Sequence, residues 1–154
     1  MKYELIELDE FKIIGKSVRT INWGSKSLND MGELWNNFLN NNLIEKIPNK
    51  LSDDIYCLYT DYESDYKSYY TAILGCKVIS LNSIPEGFIG RTIPTLTYNK
   101  IPSIGKIPES IFKSWQEIWQ SDIKRKYIAD FEVYGESSKD LTNAKVEIYL
   151  SIFK

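Results

Sequence analysis

Residues 130–134 are Asp-Phe-Glu-Val-Tyr, and the last four of them match the Tyr-Cys-Leu-Tyr of residues 56–59, 75 positions earlier in the chain. Residues 131–134 and residues 56–59 each begin and end with an aromatic residue. Short apolar runs rich in aromatic residues are typical of β-strands. The match therefore indicates two related strands that carry aromatic side chains at the same two positions.

Two further matches occur in the same order along the chain. Residues 14–18 (Ile-Gly-Lys-Ser-Val) are echoed by residues 89–93 (Ile-Gly-Arg-Thr-Ile), again 75 positions later. The helically spaced apolar residues of the first half recur in the second, and these are Trp35, Phe38 and Leu39, matched by Trp115, Ile118 and Trp119. Ordered matches of this kind predict an internal duplication. We expect a first repeat at about 1–81 and a second at about 87–154, within one domain of 154 residues.

Hydrophobic periodicity predicts an α+β fold with antiparallel strands and two main helices. The strands are expected at residues 3–8, 11–20, 55–62, 69–81, 88–93, 96–101, 128–134 and 145–153. The first helix has an apolar stripe and ends in the Asn run at 40–42, and the second begins near Pro108. We expect the first two strands to form a hairpin across Asp9 and Glu10.

Composition limits the classes of function. The net charge of −2 and the absence of a Lys/Arg stripe argue against direct nucleic-acid binding. No segment approaches the roughly 20 apolar residues of a membrane helix, and no signal peptide is recognisable, so we expect a cytoplasmic protein without membrane contact. Cys57 and Cys76 lie in apolar strands without metal-binding spacing, so we expect neither metal nor cofactor.

The chain contains no histidine. This excludes His-dependent nucleophile activation, general base catalysis by imidazole and imidazole metal ligation. Aromatic residues are abundant, with 11 Tyr, 6 Phe and 4 Trp. Such side chains fill cores or form stacking walls for flat ligands.

Two acidic residues, Glu132 and Glu147, lie inside strand-like runs. Alternation along a strand places Glu132 on the face of Tyr134, and Glu147 on the face of Tyr149. If these faces are solvated, the residues need no further explanation. If they line a cleft, burial raises the pKa of the carboxyl group until a cation restores its charged form. The sequence alone leaves both alternatives open.

The chain resembles the GyrI-like, or bacterial transcription activator effector-binding, family over essentially its whole length. The resemblance is carried by residues 70–78, the linker at 84–88, the helix at 115–119, and the closing strands at 130–134 and 146–149. It implies two βαββ-type repeats related by a pseudo-two-fold axis, with a ligand cleft between them. It also assigns the functional acidic residue to Glu132 and makes Glu147 a weaker second candidate.

The resemblance further implies that aromatic residues of both repeats line the cleft. Core packing is the alternative for each of them. The candidates are Tyr70, Trp115, Tyr134, Tyr149, Trp23 and Trp119.

The resemblance is compatible with three functions. The first is a stand-alone binding domain for a cationic or aromatic small molecule, which senses or sequesters it without a DNA-binding module of its own. The second is a hydrolase of cyclopropane-containing alkylating agents, with Glu132 as general base and Tyr70 or Tyr134 stabilising the developing charge. The third is a gyrase-inhibitor-like domain that binds a protein partner.

Overall fold

The computed structural model of the chain describes residues 2–153. Within these residues, each predicted strand and both predicted helices are present. The elements are β1 (Glu4–Leu8), β2 (Phe11–Ile21), α1 (Lys26–Asn40), β3 (Ile55–Thr60), β4 (Tyr69–Val78), β5 (Ile89–Ile93), β6 (Leu96–Gly105), α2 (Glu109–Gln120), β7 (Ala129–Tyr134) and β8 (Ala144–Ser151).

Local sequence explains where the helices lie. The apolar stripe of α1 buries Leu34 and Phe38 against the sheet. The helix ends at the predicted Asn run, where the Asn41 side-chain amide donates to the carbonyl oxygen of Asn37. The next residue, Asn42, adopts the left-handed conformation that Asn tolerates well. In α2 the apolar stripe buries Ile111 and Ile118 in the same way.

The strands form one antiparallel sheet in the order β1-β6-β8-β7-β3-β4-β2-β5. The elements of the two halves follow the same succession, β-β-α-β-β. The predicted α+β fold is therefore confirmed. The central pair is β3 with β7, which joins the last two strands of one half to those of the other.

The predicted hairpin between the first two strands is wrong. β1 pairs with β6 of the second half, from Glu4 opposite Lys100 to Leu8 opposite Leu96. β2 has β4 along one edge and β5 along the other, so neither of its edges is available to β1. The first strand of each half therefore pairs with the second strand of the other half.

One of the three sequence matches does not join equivalent elements. Residues 14–18 lie in β2 and residues 89–93 form β5, and these two strands are neighbours in the sheet. Ile14 stands opposite Gly90, and Gly15 stands opposite Ile89. The two segments thus lie in neighbouring strands of the sheet, whereas the other two matches join α1 to α2 and β3 to β7.

The sheet curls into a half-barrel with both helices on one face. Beneath α1 lies a core cluster that includes Phe38 and Leu74, and beneath α2 lies another that includes Ile118 and Ile148. The opposite face has its own core, which contains Phe131 and side chains of most other strands. Residues on β7 therefore alternate between two separate environments.

No helix within residues 2–153 combines the length and apolar character needed to cross a bilayer.

The close approach of β2 and β4 gives a test of the fold. Gly15 and Gly75 face each other, and a Cβ at Gly75 would overlap the carbonyl oxygen of Ile14. We expect Gly75→Ala to lower the free energy of unfolding by about 1 to 3 kcal/mol, because backbone atoms must move. Gly32→Ala, which enters open space on α1, should raise it by about 0.5 to 1 kcal/mol. Urea denaturation measures both, and equal effects would contradict the close approach.

Candidate functional site

Two acidic residues of β7, Asp130 and Glu132, are buried on the face of the sheet that carries the helices. Their exposed fractions are 0% and 1%. Phe131 between them belongs to the core of the other face. A buried carboxylate is costly unless its charge is paired or hydrogen-bonded. The two residues differ in how this cost is met.

Asp130 is fully compensated by its neighbours. Its Oδ2 accepts from Arg125 Nη2 at 2.8 Å and from the Tyr62 hydroxyl at 2.7 Å. Its Oδ1 accepts from the backbone N–H of Ser151 at 2.8 Å and from the Ser151 hydroxyl at 3.2 Å. With four donors, one of them cationic, Asp130 has the environment of a structural ion pair.

Glu132 has neutral donors instead of a cation. The Tyr134 hydroxyl donates to Oε1 at 2.6 Å, and Oε2 accepts from the Tyr59 hydroxyl at 3.0 Å and from Trp115 Nε1 at 2.5 Å. None of the ion pairs formed within residues 2–153 includes Glu132. The carboxylate is therefore solvated by the protein but its charge is unpaired.

Burial raises the pKa of Glu132 above its ordinary value of 4.5, and the hydrogen bonds from Tyr134, Trp115 and Tyr59 oppose part of this rise. Burial also raises the pKa of both tyrosines, and the negative charge of Glu132 adds to the effect. The two hydroxyls therefore stay protonated at neutral pH. A positive charge beside Glu132 would favour the ionised carboxylate and lower its pKa.

The aromatic rings around Glu132 are arranged with a two-fold pattern. Trp35 of α1 meets Tyr134 of β7 edge-on, with ring centres 4.9 Å apart. Trp115 of α2 meets Tyr59 of β3 edge-on at 5.5 Å. Each helix thus places a tryptophan on a tyrosine from the other half. The pattern is broken at the centre, where Cys57 of β3 stands directly opposite Glu132.

Tyr70 of β4 extends the cluster. Its ring centre lies 5.8 Å from that of Tyr59 and 5.8 Å from that of Tyr62. Its hydroxyl donates to the side-chain oxygen of Asn22 at 2.7 Å. The structure therefore brings together four of the predicted residues, which are Glu132, Tyr134, Trp115 and Tyr70.

The structure does not bring Glu147 and Tyr149 to this cluster. Glu132 pairs with Ile148, and alternation along β8 sends Glu147 and Tyr149 to the opposite face. There Tyr149 stacks on Phe131 with ring centres 4.5 Å apart. Glu147 instead lies 3.5 Å from Lys145 at the surface.

The two other predicted tryptophans lie outside the first layer around Glu132. Trp23, in the loop between β2 and α1, is 79% exposed. Trp119, near the end of α2, stacks almost parallel on Tyr66 of the β3–β4 loop at 5.8 Å. This contact bridges the two halves beside the cluster.

Two of the residues missed by the sequence analysis were marked by the repeat matches. Tyr59 is the counterpart of Tyr134, and Trp35 is the counterpart of Trp115. In the structure Trp35 contacts Tyr134, and Tyr59 contacts Trp115. Arg125 had no such signal, because it lies in an irregular segment before β7.

No group of three or more Cys, Asp or Glu side chains in the described part of the chain is placed to hold a metal ion.

The contrast between the two buried acids predicts different costs of neutralisation. Asp130→Asn leaves the guanidinium of Arg125 buried without a counter-charge, and should lower the free energy of unfolding by about 3 to 5 kcal/mol. Glu132→Gln removes a charge that has no cationic partner, so its effect should stay within about 1 kcal/mol. Urea denaturation at neutral pH compares the two variants. A larger loss for Glu132→Gln would contradict the assignment of Asp130 as the structural acid.

A family model and a known protein match the sequence of this chain. The model of the Cass2 family, described as integron-associated effector binding protein, matches residues 4–152. YobU of Bacillus subtilis, a candidate transcriptional regulator by its name, is 31% identical over 103 residues. That alignment covers 65% of this chain and 64% of YobU, so this chain matches less than two thirds of the length of that relative.

Two solved structures have the same fold. The integron cassette protein VCH_CASS2 of Vibrio cholerae is 29% identical, with a TM-score of 0.74 over 98% of this chain and 95% of that one. SAV2435, solved bound to tetraphenylphosphonium, has a TM-score of 0.80 over 99% of this chain and 94% of its own, at 16% identity. The family match spans nearly the whole described chain. The chain therefore belongs to the Cass2 family of integron-associated effector-binding proteins, which confirms the GyrI-like resemblance of the sequence.

Proposed function

We propose that the chain binds cationic aromatic small molecules at the carboxylate of Glu132. The observation that carries this proposal is the unpaired charge of a residue that is 1% exposed. Asp130, two residues away on the same strand, has an arginine for its charge, whereas Glu132 has only hydroxyl and indole donors. A ligand cation is the partner that would complete the second pair.

The surroundings of Glu132 suit such a ligand. Trp35, Tyr59, Trp115 and Tyr134 are partly exposed, whereas the carboxylate beneath them is not. A ligand reaching Glu132 therefore passes these rings and replaces at least one of the present donors. Trp115 is the donor we expect to yield, because it lies on α2, whereas Tyr59 and Tyr134 are held in the paired strands β3 and β7.

The energetics favour broad specificity. A cation near an aromatic face gains about 0.5 to 2 kcal/mol per good contact. Several such contacts and one buried carboxylate approach the roughly 8 kcal/mol that micromolar binding requires. These attractions depend on charge and flatness and need no detailed hydrogen-bond pattern. Chemically unrelated cations would therefore share the site.

The comparisons agree with this proposal. Effector binding is the description of the family, and tetraphenylphosphonium, a permanent aromatic cation, is bound in the SAV2435 structure. We infer that the chain acts as a sensor or as a sequestering protein for such compounds.

Removing the charge of Glu132 tests the proposal. Calorimetric titration with tetraphenylphosphonium should give at least a tenfold weaker Kd for Glu132→Gln than for the parent protein, because the amide cannot pair with the cation. Neutral triphenylphosphine oxide, which has similar rings, should bind the two proteins with similar affinity.

A matched control is available on the other face of the sheet. Glu147→Gln removes the same charge from a neighbouring strand, and should leave the Kd for tetraphenylphosphonium unchanged. Equal losses of affinity for tetraphenylphosphonium in both variants would show that the effect comes from the overall charge of the protein, and would overturn the proposal. Consumption of a cyclopropane-containing alkylator that depends on Glu132 would replace it with the hydrolase alternative.

Binding should also depend on pH in one direction. The free protein holds Glu132 with a raised pKa, whereas a bound cation favours the ionised form. The affinity for tetraphenylphosphonium should therefore rise with pH, by up to tenfold per unit, until the pH exceeds the pKa of Glu132 in the free protein. It should then level off. In Glu132→Gln this dependence should vanish, and a parallel rise in that variant would assign it to another group.

A further inference from the structure

A second buried charge borders the proposed site. The side chain of Arg125 is 3% exposed and its Nη2 donates to Asp130. Its other two nitrogen atoms, Nε and Nη1, have no hydrogen-bond partner within residues 2–153. Buried donors in native proteins are nearly always satisfied, so each exception requires an explanation.

Asp130, which already accepts from Nη2 of Arg125, cannot also supply these bonds. Asp130 already accepts from Arg125, from Tyr62, and twice from Ser151. Turning its carboxylate toward Nε or Nη1 would break those contacts. The two donors are therefore open to an acceptor from outside the chain.

One aromatic ring links Arg125 to Glu132. The guanidinium carbon lies 4.4 Å from the ring centre of Tyr127 and 5.6 Å from that of Trp115. The same Trp115 donates its indole N–H to Glu132. A flat ligand that takes the place of this indole would contact the carboxylate of Glu132 with one edge. It would also lie near the guanidinium of Arg125.

We infer that Arg125 is a second polar anchor of this site, which selects cations that also carry a neutral hydrogen-bond acceptor such as an amide carbonyl. This inference rests on the proposed function. Asp130 and Glu132 are two residues apart on one strand, a separation of about 7 Å. The acceptor and the cationic centre of the ligand should thus be separated by about 7 Å, which one aromatic ring spans together with its two para substituents.

The local charge explains why the acceptor is neutral. Asp130, Glu132 and Arg125 together carry a net charge of about −1 when all three are ionised. A cation with a carbonyl group brings this sum to zero. A zwitterion with a carboxylate leaves it negative, and places its own anion beside Asp130.

Three matched probes test the inference by calorimetric titration. They are benzyltrimethylammonium, its para-carboxamide and its para-carboxylate. The carboxamide should bind about tenfold more tightly than the unsubstituted cation, because it gains a hydrogen bond to a charged group. The carboxylate should gain less than the carboxamide.

The variant Arg125→Lys isolates the unsatisfied donors. Lysine keeps a positive charge for Asp130 but lacks Nε and Nη1. The ratio of the Kd of the unsubstituted cation to the Kd of the carboxamide should therefore fall from about ten toward one. Arg91→Lys makes the same substitution at a partly exposed arginine paired with Asp61, and should leave the ratio unchanged. The double variant Arg125→Met with Asp130→Asn removes both buried charges together, and gives the same ratio test if Arg125→Lys does not fold.

The outcomes separate this inference from the proposed function. If the unsubstituted cation binds through Glu132 but the carboxamide binds no more tightly, only the role of Arg125 is overturned. A ratio preserved in Arg125→Lys, or a larger gain for the carboxylate, also overturns it. If the unsubstituted cation does not bind the parent protein, both proposals fail.

Discussion

The pairing of β3 with β7 is the interaction on which the rest of the structure depends. It joins the two halves at the centre of the sheet and sets Cys57 opposite Glu132. The same register lets Trp35 meet Tyr134 and lets Trp115 meet Tyr59, each across the boundary between halves. A repeated set of aromatic residues thereby becomes one continuous cluster. A single substitution in the pattern, glutamate opposite cysteine, then puts a charge at its centre.

The charge of Glu132 has a cost that the fold does not remove. The protein compensates Asp130 with arginine and three further donors, so it can bury an ion pair on this face. At Glu132 it supplies hydroxyl and indole groups that stabilise the carboxylate without neutralising it. Local rules of folding are most often broken at functional sites. Asp130 and Glu132, two residues apart on one strand, differ in this respect, because only Asp130 has its charge paired.

Much of the fold could be predicted from the sequence, because the strands and helices have clear periodicity. Glu132 and Tyr134 could be placed on one face by alternation alone. The exchange of β1 and β5 between the halves could not be predicted, because the pattern of a strand does not specify its partner strand. Likewise, alternation along β8 cannot say which face Glu147 shares with β7, because this depends on the register between the strands. Arg125 lies in a segment without periodicity and was found only from its contacts.

The buried carboxylate of Glu132 lacks a cation, which we propose that a ligand supplies. Carbon NMR of the labelled glutamate carboxyl groups, titrated against pH with and without tetraphenylphosphonium, measures this directly, and Glu132→Gln assigns the signal. We expect the pKa of Glu132 to lie above 4.5 in the free protein and to fall when the cation binds. A pKa at or below 4.5 in the free protein, or one that the bound cation leaves unchanged, would contradict the account.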